Sequence, residues 1–141
     1  MAVRALRQDR LGAELAAPLR DDEVAWLDAD SGDVVDLDLG ALEGREAGFR
    51  HPAVVVTAQR ILDAVPSVIQ VVPLTSTIRP FGSEVVIVPD AGNGLDRRSA
   101  AQCQHLRAVP PGRVREVRGN VGSVVLAQVR EMIAVIIDLA A

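Results

Sequence analysis

With 141 residues, nearly half of them apolar, the chain has the size of one domain, or of one small domain with an extension, and enough apolar surface for a core. No run approaches the roughly 18 apolar residues that span a bilayer. The lone Cys103 has no internal disulfide partner and suits a reducing compartment. The net charge of −4 hides a split: residues 1–43 carry 4 Arg against 11 Asp and Glu, whereas residues 44–141 carry 11 Arg against 8. Overall acidity argues against a general nucleic-acid binder, while the mildly basic remainder is compatible with a local groove for RNA. Every basic residue is Arg.

Residues 1–31 read as a separate piece. Leu11, Leu15 and Leu19 recur at helical spacing, and Pro18 should end or kink that helix. The N-terminus alternates Arg with apolar residues and lacks a continuous apolar stretch, so no secretory signal is expected and the expected location is cytoplasmic. An acidic run, Asp21-Asp22-Glu23, precedes the only Trp, Trp26.

From Gly32 onward the signals are mostly β. An alternating strand begins there, followed by a polar, Gly-rich loop that ends at Pro52. A second strand is expected over 53–57, a short helical turn within 58–65, and strands over 68–74, 84–88, 102–109 and 113–117. Pro110-Pro111-Gly112 is a strong turn between the last two. Val125, Val129, Met132, Ile133, Ile136 and Ile137 follow the 3, 4, 3 spacing of an amphipathic helix over 123–139, with Ser123 as its expected N-cap. Five or six short strands and one C-terminal helix suggest a strongly bent barrel with a helix packed on it.

Four segments carry a resemblance. The strand from Gly32-Asp33-Val34 leads into a loop in which Gly44, Glu46 and Gly48 form Gly-x-Glu-x-Gly, closed by His51-Pro52 and a Val-rich strand. Pro73-Leu74-Thr75-Ser76-Thr77 is an apolar strand ending in hydroxyls. Ser99 to Val109 keeps Leu106, Arg107 and Val109 of a third pattern, with Gln104 in place of an acid and His105 in place of Gln. Ile137-Asp138-Leu139 closes the helix. Together these resemble the MazF/PemK/Kid-type toxins over about residues 32–139. The resemblance implies a mainly β, SH3-like barrel of MazF/CcdB type with a C-terminal helix, preceded here by an N-terminal helical extension. It divides the chain into an acidic extension, 1–31, and a toxin domain, 32–141.

The same resemblance implies a metal-independent endoribonuclease that cuts single-stranded RNA, forms a homodimer and is held by a MazE-like antitoxin. No cofactor is implied, and no His/Cys/Asp/Glu cluster stands at metal-ligand spacing. Cutting RNA this way needs a proton acceptor for the 2'-hydroxyl, a proton donor for the 5'-oxygen and a charge stabiliser on the phosphoryl oxygens. In the family an Arg and a Thr serve. The Thr maps onto Thr75. The Arg position is His51, and Arg50 lies one residue upstream. His51 does the work as imidazole or imidazolium, or a loop shift brings Arg50 into place, or catalysis is reduced. Because the residue before Pro is biased to extended backbone, the two neighbours tend to point apart. Glu46, Thr77, Arg79 and Arg107 are candidate RNA contacts; Glu46 and Arg79 have a solvated alternative, and Arg107 an ion-paired one. A CcdB-like toxin that binds DNA gyrase without catalysis, or an RNA-binding module that has lost catalysis, would share the fold. The extension resembles a MazE-like tail, and its acidity suits it to compete for a groove built for a polyanion.

Overall fold

A computed structural model describes residues 29–39, 50–79 and 82–139. The expected N-terminal helix, Trp26 and the loop bearing Glu46 lie outside the described residues. The elements run β1 (Asp33–Asp38), β2 (Arg50–Val55), α1 (Gln59–Leu62), β3 (Ile69–Thr75), β4 (Glu84–Ile87), β5 (Ser99–Gln102), a 3-10 turn (Cys103–His105), β6 (Arg107–Val109), a second 3-10 turn (Pro111–Arg113), β7 (Val114–Asn120) and α2 (Gly122–Ile136). The strands form one antiparallel sheet in the order β4-β5-β3-β2-β1-β7, and β6 pairs with β3 beside β5. The mainly β architecture with a C-terminal helix is the one expected, with seven strands among the described residues rather than five or six.

The valine runs are explained by burial on both faces. Val35, Ala53, Val55 and Val71 point into one core with Leu62, Ile69, Val109 and Val114. Their neighbours Val34, Val54 and Val72 point into a second core with Leu74, Ile87, Cys103 and Val129 of α2. A strand covered on both sides needs apolar residues at successive positions, not alternate ones. Each such side chain contributes roughly 1.5–3 kcal/mol on burial. Two register shifts between β1 and β7 bend that pair.

Two expectations are corrected. The strand expected over 102–109 is broken by the 3-10 turn Cys103–His105. β3 exchanges partners along one edge, pairing with β6 at 69–71 and with β5 at 74–75, so the connecting residues must turn. The turn drives Cys103 into the core beside Val129 and leaves His105 exposed; the two do not share a strand face. Secondly, Ser123 does not cap α2. It is the second residue of the helix, and Asn120 instead accepts the Gly122 N–H through Oδ1 at 2.7 Å. The apolar stripe of α2 is buried at Leu126 and Val129 and exposed at Ile136 and, just past the helix end, at Ile137.

Ala29 is buried, and Ser31 is tied into the fold. Ser31 Oγ donates to the Thr57 carbonyl, Arg130 of α2 donates to Ser31 Oγ, and the Ser31 N–H donates to Gln59 Oε1 at 2.9 Å.

Candidate active site

The site forms where β2 and β3 part. Their ladder runs from Val55 opposite Val71 to Ala53 opposite Pro73. Pro52 and Pro73 have no N–H to give, so the ladder has little to continue with. Beyond this point β2 stays with β1, pairing Pro52 with Asp36, His51 with Leu37 and Arg50 with Asp38. β3 turns instead to β5, pairing Thr75 with Ala100. Two cavities open between the diverging ends, and His51 lines both.

The smaller cavity, about 310 Å³, brings Arg50 and His51 of β2 together with Thr75 and Ser76 at the end of β3. Strand alternation sends His51 to the side of Ala53 and Val55, and Arg50 to the side of Val54. Thr75 follows Val71 and Pro73, so it shares the side of His51. Thr75 Oγ1 accepts the Thr77 N–H at 3.1 Å. That bond uses an acceptor lone pair and leaves the hydroxyl hydrogen to donate elsewhere.

Asp96 and Arg97 line the same cavity from the segment before β5, Ser99 from the first residue of β5, and Arg118 from β7. The segment is held firmly. Asn93 is buried, its Oδ1 accepts the Leu95 N–H at 3.0 Å, and its Nδ2 donates to the Val88 carbonyl at 2.9 Å. Gly94 has φ +69, and a Cβ there would collide with the Arg118 carbonyl. A Cβ at Gly119 would collide with the Gly92 carbonyl. Backbone therefore lies directly on backbone. The Arg118 guanidinium lies 3.7 Å from Asp36 and 3.5 Å from Asp96. Burial pushes the Asp36 carboxyl above its ordinary value, against the opposing pull of Arg118.

The larger cavity, about 710 Å³, has an apolar floor of Leu37, Val71, Pro73 and Leu106, and a polar wall of Gln102, Gln104, His105 and Arg107. Gln104 is held in place: Ser83 Oγ donates to its Oε1 at 3.1 Å, and its Nε2 donates to Glu84 Oε2 at 3.0 Å. Glu84 Oε1 is buried without a partner among the described residues.

Of the residues expected from the sequence, Arg50, His51 and Thr75 converge on one cavity. Arg107 joins His51 in the other. Thr77 reaches the site through its backbone N–H. Arg79 is exposed and lines neither cavity, and Glu46 lies outside the described residues. Sequence reasoning missed Arg118, Asp36, Asp96 and Arg97. The charged run Asp96-Arg97-Arg98 was the one visible signal; nothing local links Arg118 to Asp36. No group of three or more His, Cys, Asp or Glu gathers at metal-binding distance among the described residues. No described helix is long and apolar enough to cross a membrane.

Residues 30–137 match the family of PemK-like, MazF-like toxins of type II toxin–antitoxin systems. Over 112 residues the chain is 31% identical to endoribonuclease MazF9 of Mycobacterium tuberculosis, covering 77% of this chain and 95% of that protein. Among solved structures, it superposes on the M. tuberculosis toxin MazF-mt6 with a TM-score of 0.63 at 21% identity, over 77% of this chain and 99% of that one. It superposes on MazF of Deinococcus radiodurans with a TM-score of 0.61 at 26% identity, over 78% and 96%. A mycobacterial endoribonuclease in complex with its cognate antitoxin gives a TM-score of 0.64 at 17% identity, over 80% and 98%. The family match covers the strands that build both cavities, and on it and the MazF9 identity the chain belongs to the PemK-like, MazF-like toxins of type II toxin–antitoxin systems, a family of endoribonucleases.

Proposed function

We propose that this toxin cuts single-stranded RNA without a metal ion, using His51 and Thr75 on a phosphate lodged where β2 and β3 part. The observation that carries this reading is the convergence of Arg50, His51 and Thr75 on one cavity, with His51 and Thr75 on the same side. The 2'-oxygen attacks the adjacent phosphorus, and the bond to the 5'-oxygen breaks. The 2'-proton leaves to a base, and the departing 5'-oxygen takes up a proton. His51, standing at the junction of the cavities, exchanges these protons; such a group contributes about 10²–10⁴-fold. The free hydroxyl hydrogen of Thr75 meets the charge that builds on a phosphoryl oxygen. Arg50 adds positive charge from the other side of β2. The larger cavity takes the flanking nucleotide, its floor packing on the base and Arg107 facing the backbone.

The wider assignment follows from the family. MazF of D. radiodurans has been solved as a MazE–MazF complex, and a corresponding antitoxin is the expected partner here. The exposed apolar residues Val135 and Ile136 of α2 and the adjoining Ile137 suit burial in a homodimer. The substrate is mRNA, the consequence arrest of translation, and the place of action the cytoplasm. The test is incubation of the purified protein with a long single-stranded RNA in EDTA. Fragments ending in 2',3'-cyclic phosphate and 5'-hydroxyl are expected. Activity that vanishes in EDTA and returns with magnesium would refute the mechanism, and intact RNA would favour a non-catalytic toxin.

A further inference from the structure

β2 presents an imidazole and an exposed arginine to the phosphate, and among the described residues the arginine of this cavity with a carboxylate on either side comes from β7. We propose that Arg118 is a phosphate-binding residue of the site, its guanidinium receiving a phosphoryl oxygen of the RNA strand that enters beside Thr75. The proposal rests on the endoribonuclease reading and adds a residue to it.

Three observations carry it. First, Arg118 lines the same cavity as His51 and Thr75. Second, its backbone is clamped. Gly94 lies against its carbonyl, the next residue, Gly119, lies against Gly92, and the Asn120 N–H donates to the Gly92 carbonyl at 2.8 Å. A side chain on such a backbone is aimed before substrate arrives, which spares ordering entropy on binding. Third, its ion pairs are loose. At 3.7 Å to Asp36 and 3.5 Å to Asp96, neither is a close bidentate bond, so the five N–H donors of the guanidinium are not saturated. Asp96 is 83% exposed at its side chain and yields readily to a competing anion. Asp36 is only 18% exposed and stays, holding the guanidinium in place from behind. The planar guanidinium fork matches two phosphoryl oxygens, which an ammonium does not.

The alternative is that Arg118 merely neutralises the half-buried Asp36. The experiment compares wild type, Arg118→Gln and the double variant Asp36→Asn/Arg118→Gln, which removes the carboxylate a lone Arg118→Gln would leave unpaired. Each is titrated with a mixed-sequence 20-nucleotide RNA carrying 2'-fluoro groups, which cannot be cut, at several salt concentrations, and its cleavage of ordinary RNA is measured in parallel. Both variants should bind about 10- to 100-fold more weakly, and the slope of log affinity against log salt should fall by about 0.7, the loss of one phosphate contact on a single strand. Recovery of affinity, slope and cleavage in the double variant would overturn the proposal, as would an unchanged slope in a folded Arg118→Gln. If wild type leaves ordinary RNA intact yet shows the Arg118-dependent slope, the phosphate contact stands and the nuclease reading falls. If wild type cuts RNA and Arg118→Gln cuts and binds as well, the nuclease reading stands and this proposal falls.

Discussion

Gly119→Ala tests whether the site depends on backbone laid against backbone. Gly119 has no left-handed φ, so alanine meets no conformational penalty there; the penalty comes from contact alone. An added Cβ would overlap the Gly92 carbonyl and the backbone of Asn93, and neither can swing aside as a flexible side chain would. Forcing one methyl into such a contact costs about 1–3 kcal/mol. Displacing Gly92 also weakens the hydrogen bond from the Asn120 N–H, 2.8 Å long, worth about 1 kcal/mol. The total is about 2–4 kcal/mol, or a fall in Tm of about 8–16 °C for a chain of this size. Denaturant unfolding with an unchanged m-value measures it. Gly112→Ala is the internal control, because a Cβ there meets nothing within 4 Å; its stability should match wild type or exceed it slightly. The segment carrying Asp96 and Arg97 would lift from β7, so Gly119→Ala should also lose RNA cleavage. A Gly119→Ala protein within about 0.5 kcal/mol of wild type, the usual range for inert surface changes, would refute the reasoning.

The remaining predictions concern the chemistry, the buried thiol and the extension. His51→Ala should lose about two or more orders of magnitude in cleavage rate, and His51→Arg should retain activity; a silent His51→Ala beside an inactive Arg50→Ala would move the role to Arg50. Burial pushes the Cys103 thiol up to about 11 from a value of 9.0, so it should react with a thiol reagent only as fast as the protein opens. The same shift makes the unfolded chain release its proton first. Stability should therefore fall as pH rises from about 9 towards about 11, and comparison of unfolding at these pH values in wild type and Cys103→Ala should show the difference. Deleting residues 1–28, which leaves the buried Ala29 and the anchored Ser31 in place, should raise RNA binding and cleavage if the extension restrains the groove through tethering; a soluble deletion variant with unchanged cleavage would remove that role, and an insoluble one would make the extension structural.

Much of this architecture is legible without coordinates because the signals are local. Runs such as Val54-Val55 and Val71-Val72 announce strands covered on both faces. Pro110-Pro111-Gly112 announces a turn, and the spacing from Val125 to Ile133 announces a helix, since each pattern lies within one element. Thr75 and His51, which line one cavity, each sit in a short motif at the end of a strand. The break at Cys103–His105 is not foreshadowed. It exists because β3 exchanges β6 for β5 along one edge, a fact about three strands that no single segment records. The ion pair between Asp36 and Arg118 is equally silent in the sequence. It follows from the register of β1 on β7 and from two glycines that let a distant loop lie on that strand. Local periodicity selects the elements; register and close approach across long sequence distances decide which charges face the cavity.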